Sequence, residues 1–374
     1  MNEISRRKMV KILGATGATA AATGCLGGDG DASAQEDEPS DNDDGGGGGG
    51  SQQAQLDDPM TPDVETIAAD PWDVPDPVDW DSPREHDIHM RTEEHVAEIE
   101  PGVTFRYMTF DGQVPGPMVR VREGDTVNLT FEVPDDLNVD VHNVDFHAVY
   151  GAGGGAEHTT IAPGETAKIS FSPQYAGIHI YHCAVPNMDQ HISAGMYGAI
   201  LVEPRAGLPE VDHELYLGQN ELYTNGDTGE EGHHQFDFES MANEDPTYVT
   251  FNGEAYGFTG EGKHGPIEGI EVGDTARVYL SCGGPNLMSS WHAIGNVWSK
   301  FYRDGSLLSE PDLNVETAPV GPGTVAAAEM EFPVPGPVKI VDHALSRVVR
   351  KGALAVIDVE GEPQPDIYNP DPDF

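Results

Sequence analysis

The stretch Ile180-Tyr181-His182-Cys183-Ala184-Val185 places a histidine directly before a cysteine. We expect the run that leads into it, residues 178–181, to be a β-strand. Neighbouring side chains on a strand point to opposite faces, so His182 and Cys183 point in opposite directions. Both residue types bind metals. One strand can therefore serve two metal sites, one on each face of its sheet.

The face of Cys183 has the ligands of a known type of metal site. Downstream, His191 and Met196 complete the pattern Cys-x7-His-x4-Met, and upstream His142 supplies a second imidazole. Two histidines, a thiolate and a long, weak methionine ligand are typical of a blue-type electron-transfer copper site. His191 and Met196 could each be ordinary core residues. Their spacing from Cys183 favours a copper site instead.

The face of His182 calls for a second set of ligands. His142 and His147 are five residues apart, an odd number, so on a regular strand they face opposite ways. His147 then joins His182, and Asp145, two residues earlier, shares their face. His142 is left to join Cys183. Two imidazoles are too few for a tight copper site with an open position, so a third is required.

Composition and repeats indicate an all-β protein with two domains. The 374 residues exceed one typical domain, and short alternating apolar segments are commoner than helical patterns. An internal repeat predicts two copies of one β-sandwich that meet near residues 204–208. Three pairs of similar segments occur in the same order, each pair roughly 150 to 160 residues apart. They are 123–131 with 272–280, 162–164 with 321–323, and 198–202 with 352–356.

The chain is strongly acidic. It has 65 Asp and Glu against 19 Lys and Arg, for a formal net charge of −46. Binding to nucleic-acid phosphates requires a basic surface, so this balance argues against a nucleic-acid partner. The acidic residues are spread through the whole chain, which favours a halophilic protein whose surface repulsion is screened by salt. The alternative is an acidic tail on an ordinary acidic protein.

The N-terminal 25 residues resemble an export signal. The segment 5–10 (SRRKMV) carries twin arginines ahead of an apolar stretch that is too short for a membrane-spanning helix. The segment 22–25 (ATGC) resembles a lipobox, in which Cys25 becomes the lipidated first residue. We therefore expect export by the twin-arginine route and a lipid anchor on the extracytoplasmic face of the cell membrane. A plain signal peptide with an incidental cysteine is the alternative.

Two further features concern structure. Residues 26–80 are rich in acidic residues and glycine, which predicts a disordered linker. Cys282 has no His or Met nearby in a ligand pattern, so we expect a buried strand thiol.

Several segments, in the same order, resemble the copper-containing nitrite reductases over residues 109–361. The matching segments are 109–116 (TFDGQVPG), 142–147 (HNVDFH), 182–198, 290–295 (SWHAIG) and 341–343 (VDH). The Cys-to-His loop is similar to the shorter version in one branch of the family, and with the acidic composition it suggests a haloarchaeal-like member. The resemblance implies two tandem cupredoxin-like Greek-key β-sandwich domains, 81–205 and 206–362, followed by a tail, 363–374.

The resemblance also implies a role for each candidate residue. Each subunit would hold one type 1 copper and one type 2 copper. The type 1 ligands would be His142, Cys183, His191 and Met196. The type 2 ligands would be His147 and His182 with His343 from a neighbouring subunit of a homotrimer. Asp145 and His292 match the catalytic residues of the family, and Ile294 matches the apolar residue that shapes the substrate pocket.

The implied activity is reduction of nitrite to nitric oxide and water in denitrification. A small blue-copper protein or a cytochrome would reduce the type 1 copper. The electron would then cross the Cys183–His182 peptide to the type 2 copper, where nitrite binds and Asp145 and His292 supply two protons.

Two other functions compete with nitrite reduction. A multicopper oxidase requires paired His-x-His motifs and a His-Cys-His run, whereas this chain has His-Cys-Ala and no paired set. A non-enzymatic blue-copper electron carrier would leave His147, His182 and His343 without a role, and it would tolerate the loss of His343.

Overall fold

The structure, a computed structural model, describes residues 56–372. The predicted export signal and the predicted lipidation site at Cys25 lie outside these residues. Between residues 56 and 372, no helix is both long enough and apolar enough to cross a membrane.

Strands dominate the described part of the chain. In the first half they are β1 (Glu85–Glu100), β2 (Val103–Phe110), β3 (Gly116–Arg122), β4 (Thr126–Val133), β5 (Asp145–Phe146), β6 (Glu165–Phe171), β7 (Gly177–His182) and β8 (Tyr197–Glu203). In the second half they are β9 (His213–Leu222), β10 (Gly232–His234), β11 (Tyr248–Phe251), β12 (Ile267–Glu271), β13 (Thr275–Gly284), β14 (Ser289–Ile294), β15 (Trp298–Tyr302), β16 (Asp312–Val315), β17 (Thr317–Val320), β18 (Thr324–Glu331), β19 (Gly336–Asp342) and β20 (Leu354–Glu360).

Helices are short and lie in the connections. The α-helices are α1 (Ala156–Thr159), α2 (Met188–Ser193), α3 (Phe238–Ala242) and α4 (Leu345–Arg350). Two 3-10 turns cover Ala152–Gly155 and Arg303–Gly305. The predicted all-β class is confirmed.

The strands form four sheets, and the pairing in the first two is repeated in the others. The sheets have the orders β10-β2-β1-β4-β6, β3-β8-β7-β5, β11-β9-β13-β18-β15-β16 and β12-β20-β19-β14-β17. β1 runs parallel to β4 and antiparallel to β2, and β9 runs parallel to β13 and antiparallel to β11. β8 lies between parallel β3 and antiparallel β7, as β20 lies between β12 and β19. The internal repeat in the sequence therefore corresponds to a repeated sheet topology.

Burial along the strands follows from their place in the sandwiches. β4 alternates between half-buried and buried residues, as expected for a strand with one face on the core. β8 is buried at every position, because its sheet is covered on both faces. The contacts between the two halves are extensive, and the chain from Leu56 onward forms one compact unit. The domain boundaries near 81, 205 and 362 stay predictions.

The structure differs from the predicted linker over residues 56–80. Ile67 is completely buried, and its carbonyl accepts a hydrogen bond from the amide of Val114 at 2.8 Å. The carbonyl of Pro71 accepts another from the amide of Tyr216. The acidic and proline-rich composition of the segment did not predict this packing. A few apolar residues are enough to hold an extended segment against a β-sandwich, and they change the average composition little.

Candidate metal centres

Three buried side chains converge where β7 ends. The Sγ atom of Cys183 lies 3.9 Å from Nδ1 of His142 and 3.6 Å from Nδ1 of His191. Their ligand atoms all lie within 4.8 Å of one another, and all three residues are buried. A single metal ion can therefore contact one sulfur and two nitrogens here.

The segment 183–196 is folded so that its ligands return to one place. Helix α2 carries His191, whose amide donates a hydrogen bond to the carbonyl of Asn187 at 3.2 Å. The amide of Met196 then donates to the carbonyl of His191 at 3.0 Å, and the amide of Cys183 donates to the carbonyl of Met196 at 3.2 Å. Met196 is fully buried against the same core as Cys183. The loop thus returns the backbone of Met196 to Cys183, while Nδ1 of His191 faces the Cys183 sulfur.

A buried carboxylate orients the third ligand, His142. Its Nε2 lies 3.3 Å from Oε1 of Glu94, which also accepts the amides of Val139 and Asp140. Because a carboxylate accepts hydrogen bonds, Nε2 of His142 donates to Glu94, and Nδ1 is the nitrogen that faces the sulfur of Cys183. Such outer partners fix the orientation of histidine ligands in metal sites.

The protonation of this group suits a metal thiolate. Burial alone would raise the pKa of the Cys183 thiol, but hydrogen bonds from His142 and His191 outweigh it and lower the pKa to about 6. A thiolate is the form that binds metals. A buried set of one thiolate, two imidazoles and a methionine fits copper in its electron-transfer form.

A second group of possible metal ligands lies where β5 pairs with the end of β7. Nε2 of His147 lies 3.1 Å from Nε2 of His182, and Asp145 is within 4.8 Å of both. Nδ1 of His182 lies 3.0 Å from the carbonyl oxygen of Cys183. A carbonyl can only accept, so Nδ1 carries the proton and Nε2 has a free lone pair. The two Nε2 atoms can therefore bind one metal ion.

This second group is open at the surface of the chain. Burial, and then the nearby His182, lower the pKa of His147, which keeps its imidazole neutral and able to bind a metal. His147 is nevertheless exposed, whereas His182 is buried. The group has two imidazoles and one carboxylate, and His343 is not among the side chains within 4.8 Å of it. Within one chain the predicted three-histidine site is incomplete.

His343 lies instead beside His292, in the second half of the chain. Their ring centroids are 5.1 Å apart. Nδ1 of His292 lies 2.8 Å from the carbonyl oxygen of Glu316, so this nitrogen carries a proton and leaves Nε2 free. Ile294 is on the same face of β14 as His292, two residues further on, and packs against a small apolar cluster.

A fully buried carboxylate, Asp342, fixes the backbone on both sides of His343. It accepts hydrogen bonds from the amides of Ser290 and Ala344, both at 3.0 Å. It also forms an ion pair with Arg347, and the amide of His343 donates to the carbonyl of Ser290 at 2.7 Å. His343 is exposed on this rigid support.

The structure thus places the predicted residues in three groups. The first group contains His142, Cys183, His191 and the backbone of Met196. The second group contains Asp145, His147 and His182, and the third contains His292, Ile294 and His343. Sequence reasoning assigned no role to Glu94, since nothing in the sequence links it to a histidine 48 residues away. Asp342 lies in the segment 341–343, but the sequence indicated no role for it.

Comparisons with known proteins agree with this arrangement. A family model described as multicopper oxidase matches residues 91–207. A copper-containing nitrite reductase of Neisseria meningitidis serogroup B is 43% identical over 306 residues, which cover 82% of this chain and 77% of that protein.

Solved structures of copper nitrite reductases are also similar. The enzyme from Nitrosomonas europaea has a TM-score of 0.66 and 32% identity, over 75% of this chain and 96% of that one. The enzyme from Thermus scotoductus has a TM-score of 0.62 and 28% identity, over 76% and 63% of the two chains. The predicted fold of two cupredoxin-like domains is confirmed. On the strength of this identity and coverage, the chain belongs to the copper-containing nitrite reductases.

Proposed function

We propose that this protein reduces nitrite to nitric oxide and water with two coppers per chain. The proposal rests on two groups of metal ligands that differ in burial and in completeness. The peptide bond between His182 and Cys183 joins them. The group around Cys183 is buried and contains two imidazoles and a thiolate, a set of ligands that suits electron transfer. The group around His182 is open and lacks one ligand, which suits substrate binding.

The residues of the chain supply the rest of the chemistry. Nitrite, two protons and one electron give nitric oxide and water. Bound at the open site, copper would supply Lewis acidity and a place for nitrite. The covalent link from Cys183 to His182 gives the electron a short route between the two groups. Asp145 is near the open group, and His292 has a free Nε2, so these two side chains are placed to hold and move the protons.

We further propose that the open site is completed between chains, in a homotrimer. His147 and His343 are both exposed, and each belongs to a half-site of a single chain. A closed ring of identical subunits would bring the His343 half-site of one chain onto the His147 half-site of the next. Ile294 would then line the pocket over bound nitrite.

We also propose that the electron donor docks near the buried group around Cys183. Val139 and Val141 are 76% and 42% exposed beside buried His142, and Met188 is 40% exposed at the start of the helix that carries His191. Exposed apolar side chains close to the ligands of a buried metal group would give a protein partner an apolar contact. A small blue-copper protein or a cytochrome with a matching apolar rim would fit it.

We propose the short-loop, haloarchaeal-like branch of the family for this chain, and a location outside the cytoplasmic membrane. The short Cys-to-His spacing, the net charge of −46, the twin arginines and Cys25 support these assignments. Replacing Cys25 with alanine is expected to release the exported protein from the membrane fraction. Persistence of the variant on membranes would contradict the lipid anchor.

The competing functions account for fewer of these residues. A multicopper oxidase would need a larger cluster of histidines, and the described residues form only the two ligand groups above. An electron carrier would not need His343 presented on a rigid support.

The experiment is to replace His343 with alanine in the copper-loaded enzyme. The variant is expected to keep the absorption of the type 1 copper and to lose nitrite turnover with an artificial electron donor, because the other copper loses a ligand. Copper analysis should give about two ions per chain in the wild type, from the ligand count, and about one in the variant. Full activity of the variant would contradict the assignment.

A further inference from the structure

We propose that Gly154 is a positioning residue for Asp145. Because it has no side chain, the glycine-rich turn 151–155 can lie directly on the Asp145 carboxylate and hold it toward His147 and His182. This inference rests on the role proposed above for Asp145 in moving a proton.

The contact leaves no room for a side chain. A methyl group at Gly154 would overlap Oδ1 of Asp145 and would lie 2.8 Å from the carbonyl oxygen of Phe146. The backbone of Gly154 has φ 58° and ψ 19°, in the left-handed region that glycine adopts without cost. The turn therefore covers one side of the carboxylate with bare backbone.

The other side of the carboxylate faces the metal ligands. Asp145 lies within 4.8 Å of the nitrogens of His147 and His182. With backbone on one side and imidazoles on the other, the carboxylate has little freedom to rotate. A proton-transferring group needs this kind of fixed distance to the reacting atoms.

The turn cannot move away to admit a larger residue. Thr159, which is completely buried in α1 directly after the turn, accepts a hydrogen bond from the amide of Val144 at 3.1 Å. Its hydroxyl also lies 3.2 Å from the carbonyl of Val144 and 3.1 Å from that of Gly155. Since Val144 precedes Asp145, the turn and the carboxylate are tied to the same piece of backbone. A methyl group at Gly154 would displace the side chain of Asp145, the more flexible partner.

The neighbouring glycine provides a matched control. Gly153 has φ 56° and ψ 36°, so alanine there suffers nearly the same backbone strain. Its methyl group, however, would lie 3.4 Å from Cβ of Ala156 and 3.9 Å from Cγ of Glu157, which are ordinary contacts. Unlike alanine at Gly153, alanine at Gly154 would push on the Asp145 carboxylate and also on the carbonyl oxygen of Phe146, and the Asp145→Asn background separates these two effects.

The test compares Gly154→Ala, Gly153→Ala and Asp145→Asn in the copper-loaded enzyme. Turnover is measured across pH, and nitrite affinity is measured without turnover from the nitrite-induced change in the type 2 electron paramagnetic resonance signal. We expect Gly154→Ala to lose about tenfold or more in turnover, to weaken nitrite binding and to change the acid limb of the pH profile. Gly153→Ala should stay within about twofold of the wild type, and both should keep their copper.

A double variant separates positioning from general damage. In the Asp145→Asn background, adding Gly154→Ala should cost less than about threefold in turnover, because the group that it displaces no longer transfers a proton. If Gly154→Ala does not fold, removing the carboxylate with Asp145→Ala should recover folded protein, with a melting temperature below that of the Asp145→Ala, Gly153→Ala protein because the contact with the carbonyl oxygen of Phe146 remains.

The outcomes distinguish the inference from the function on which it rests. Equal effects of alanine at Gly153 and Gly154, loss of type 2 copper from Gly154→Ala alone, or failure of Asp145→Ala to restore folding would each overturn the role of Gly154. Full activity of Asp145→Asn would instead remove the proposed role of Asp145 itself.

Discussion

At the scale of single residues, two buried cysteines show how local partners decide chemistry. Cys183 and Cys282 are both almost completely buried. Burial raises the pKa of the Cys282 thiol to about 12, and its sulfur lies 3.6 Å from the carbonyl oxygen of Leu287. Two imidazoles lower the pKa of Cys183 to about 6 despite its burial. Burial alone thus makes an inert thiol, and imidazole neighbours make a ligand.

This difference predicts which thiol reacts in the copper-free protein. At pH 7.5 a group with a pKa of about 6 is almost entirely thiolate, and thiolate is the nucleophile. Since both thiols are equally buried, access does not favour either, and a small alkylating reagent should modify Cys183 faster than Cys282, as read from peptide masses over time. Copper should protect Cys183. Equal modification of both cysteines in the folded protein would contradict the pKa difference.

At the scale of elements, each sandwich begins with the same connection between a histidine and a turn. In the first, Asp125 in the turn before β4 accepts a hydrogen bond from His86 of β1 at 2.8 Å. In the second, Asp274 before β13 makes the same bond to His213 of β9 at 2.8 Å. The copies differ in burial, since the side chain of Asp125 is fully buried and that of Asp274 is 30% exposed.

The buried copy should matter more for stability. Asp125 also accepts the amides of Arg84 and Arg122 and the indole N–H of Trp80. Asp125→Asn points an amide N–H₂ at some of these donors, so the free energy of unfolding should fall by about 2 kcal/mol at pH 7. Asp274→Asn is the matched control and should cost less. A larger loss from the control in urea unfolding would contradict this ranking.

The pH dependence of that loss follows from the pKa of Asp125. Burial would raise this pKa, but the hydrogen bonds from Arg84, His86 and Arg122 outweigh it, so it lies below the ordinary value. The carboxylate therefore stabilises the fold above about pH 4, and this contribution disappears as the pH falls through the lowered pKa. The difference between wild type and Asp125→Asn should accordingly shrink in acid.

The sequence predicts these elements unevenly. β7 and the repeat could be read from alternation and from recurring segments, because both signals are local. The spacing of the histidines predicts a regular strand over residues 142–147, but only Asp145 and Phe146 are strand, and His142 is held by an isolated bridge to Ile161. The predicted division of the histidines still matches the structure, because the side chains at each end of this short segment point to opposite sides. The Glu94 contact and the overlap at Gly154 depend on distant backbone, which no local pattern encodes.

At the scale of the whole molecule, a buried ion network joins the two sandwiches. The first contributes Arg120 and Glu203, and the second contributes Glu214, Arg277 and Glu329. Arg120 lies 2.6 Å from Glu203 and 2.5 Å from Glu214, while Arg277 lies 2.9 Å from Glu214 and 2.8 Å from Glu329. Both arginine side chains are only 2% exposed. Glu214 is the member that bridges the two arginines.

Breaking this network should destabilise the protein even in concentrated salt. Glu214→Gln removes the charge shared by Arg120 and Arg277, and we expect a loss of about 3 kcal/mol in the free energy of unfolding. Buried pairs are screened little by salt, so the loss should persist at high KCl. The exposed pair of Arg303 and Asp312 is the control, and Arg303→Gln should cost less than about 1 kcal/mol. Similar losses from both variants would contradict a special role for the network.

The central claim is that the nitrite-binding copper is held by His147 and His182 of one chain and by His343 of another. Mixing two inactive variants tests it most directly. His147→Ala and His343→Ala chains are co-expressed, and nitrite turnover of the mixed oligomers is compared with that of each variant alone. Random assembly in a closed ring should regenerate about one quarter of the intact sites, and activity should return in that proportion. If mixed oligomers form and stay as inactive as the single variants, the site is not shared between chains.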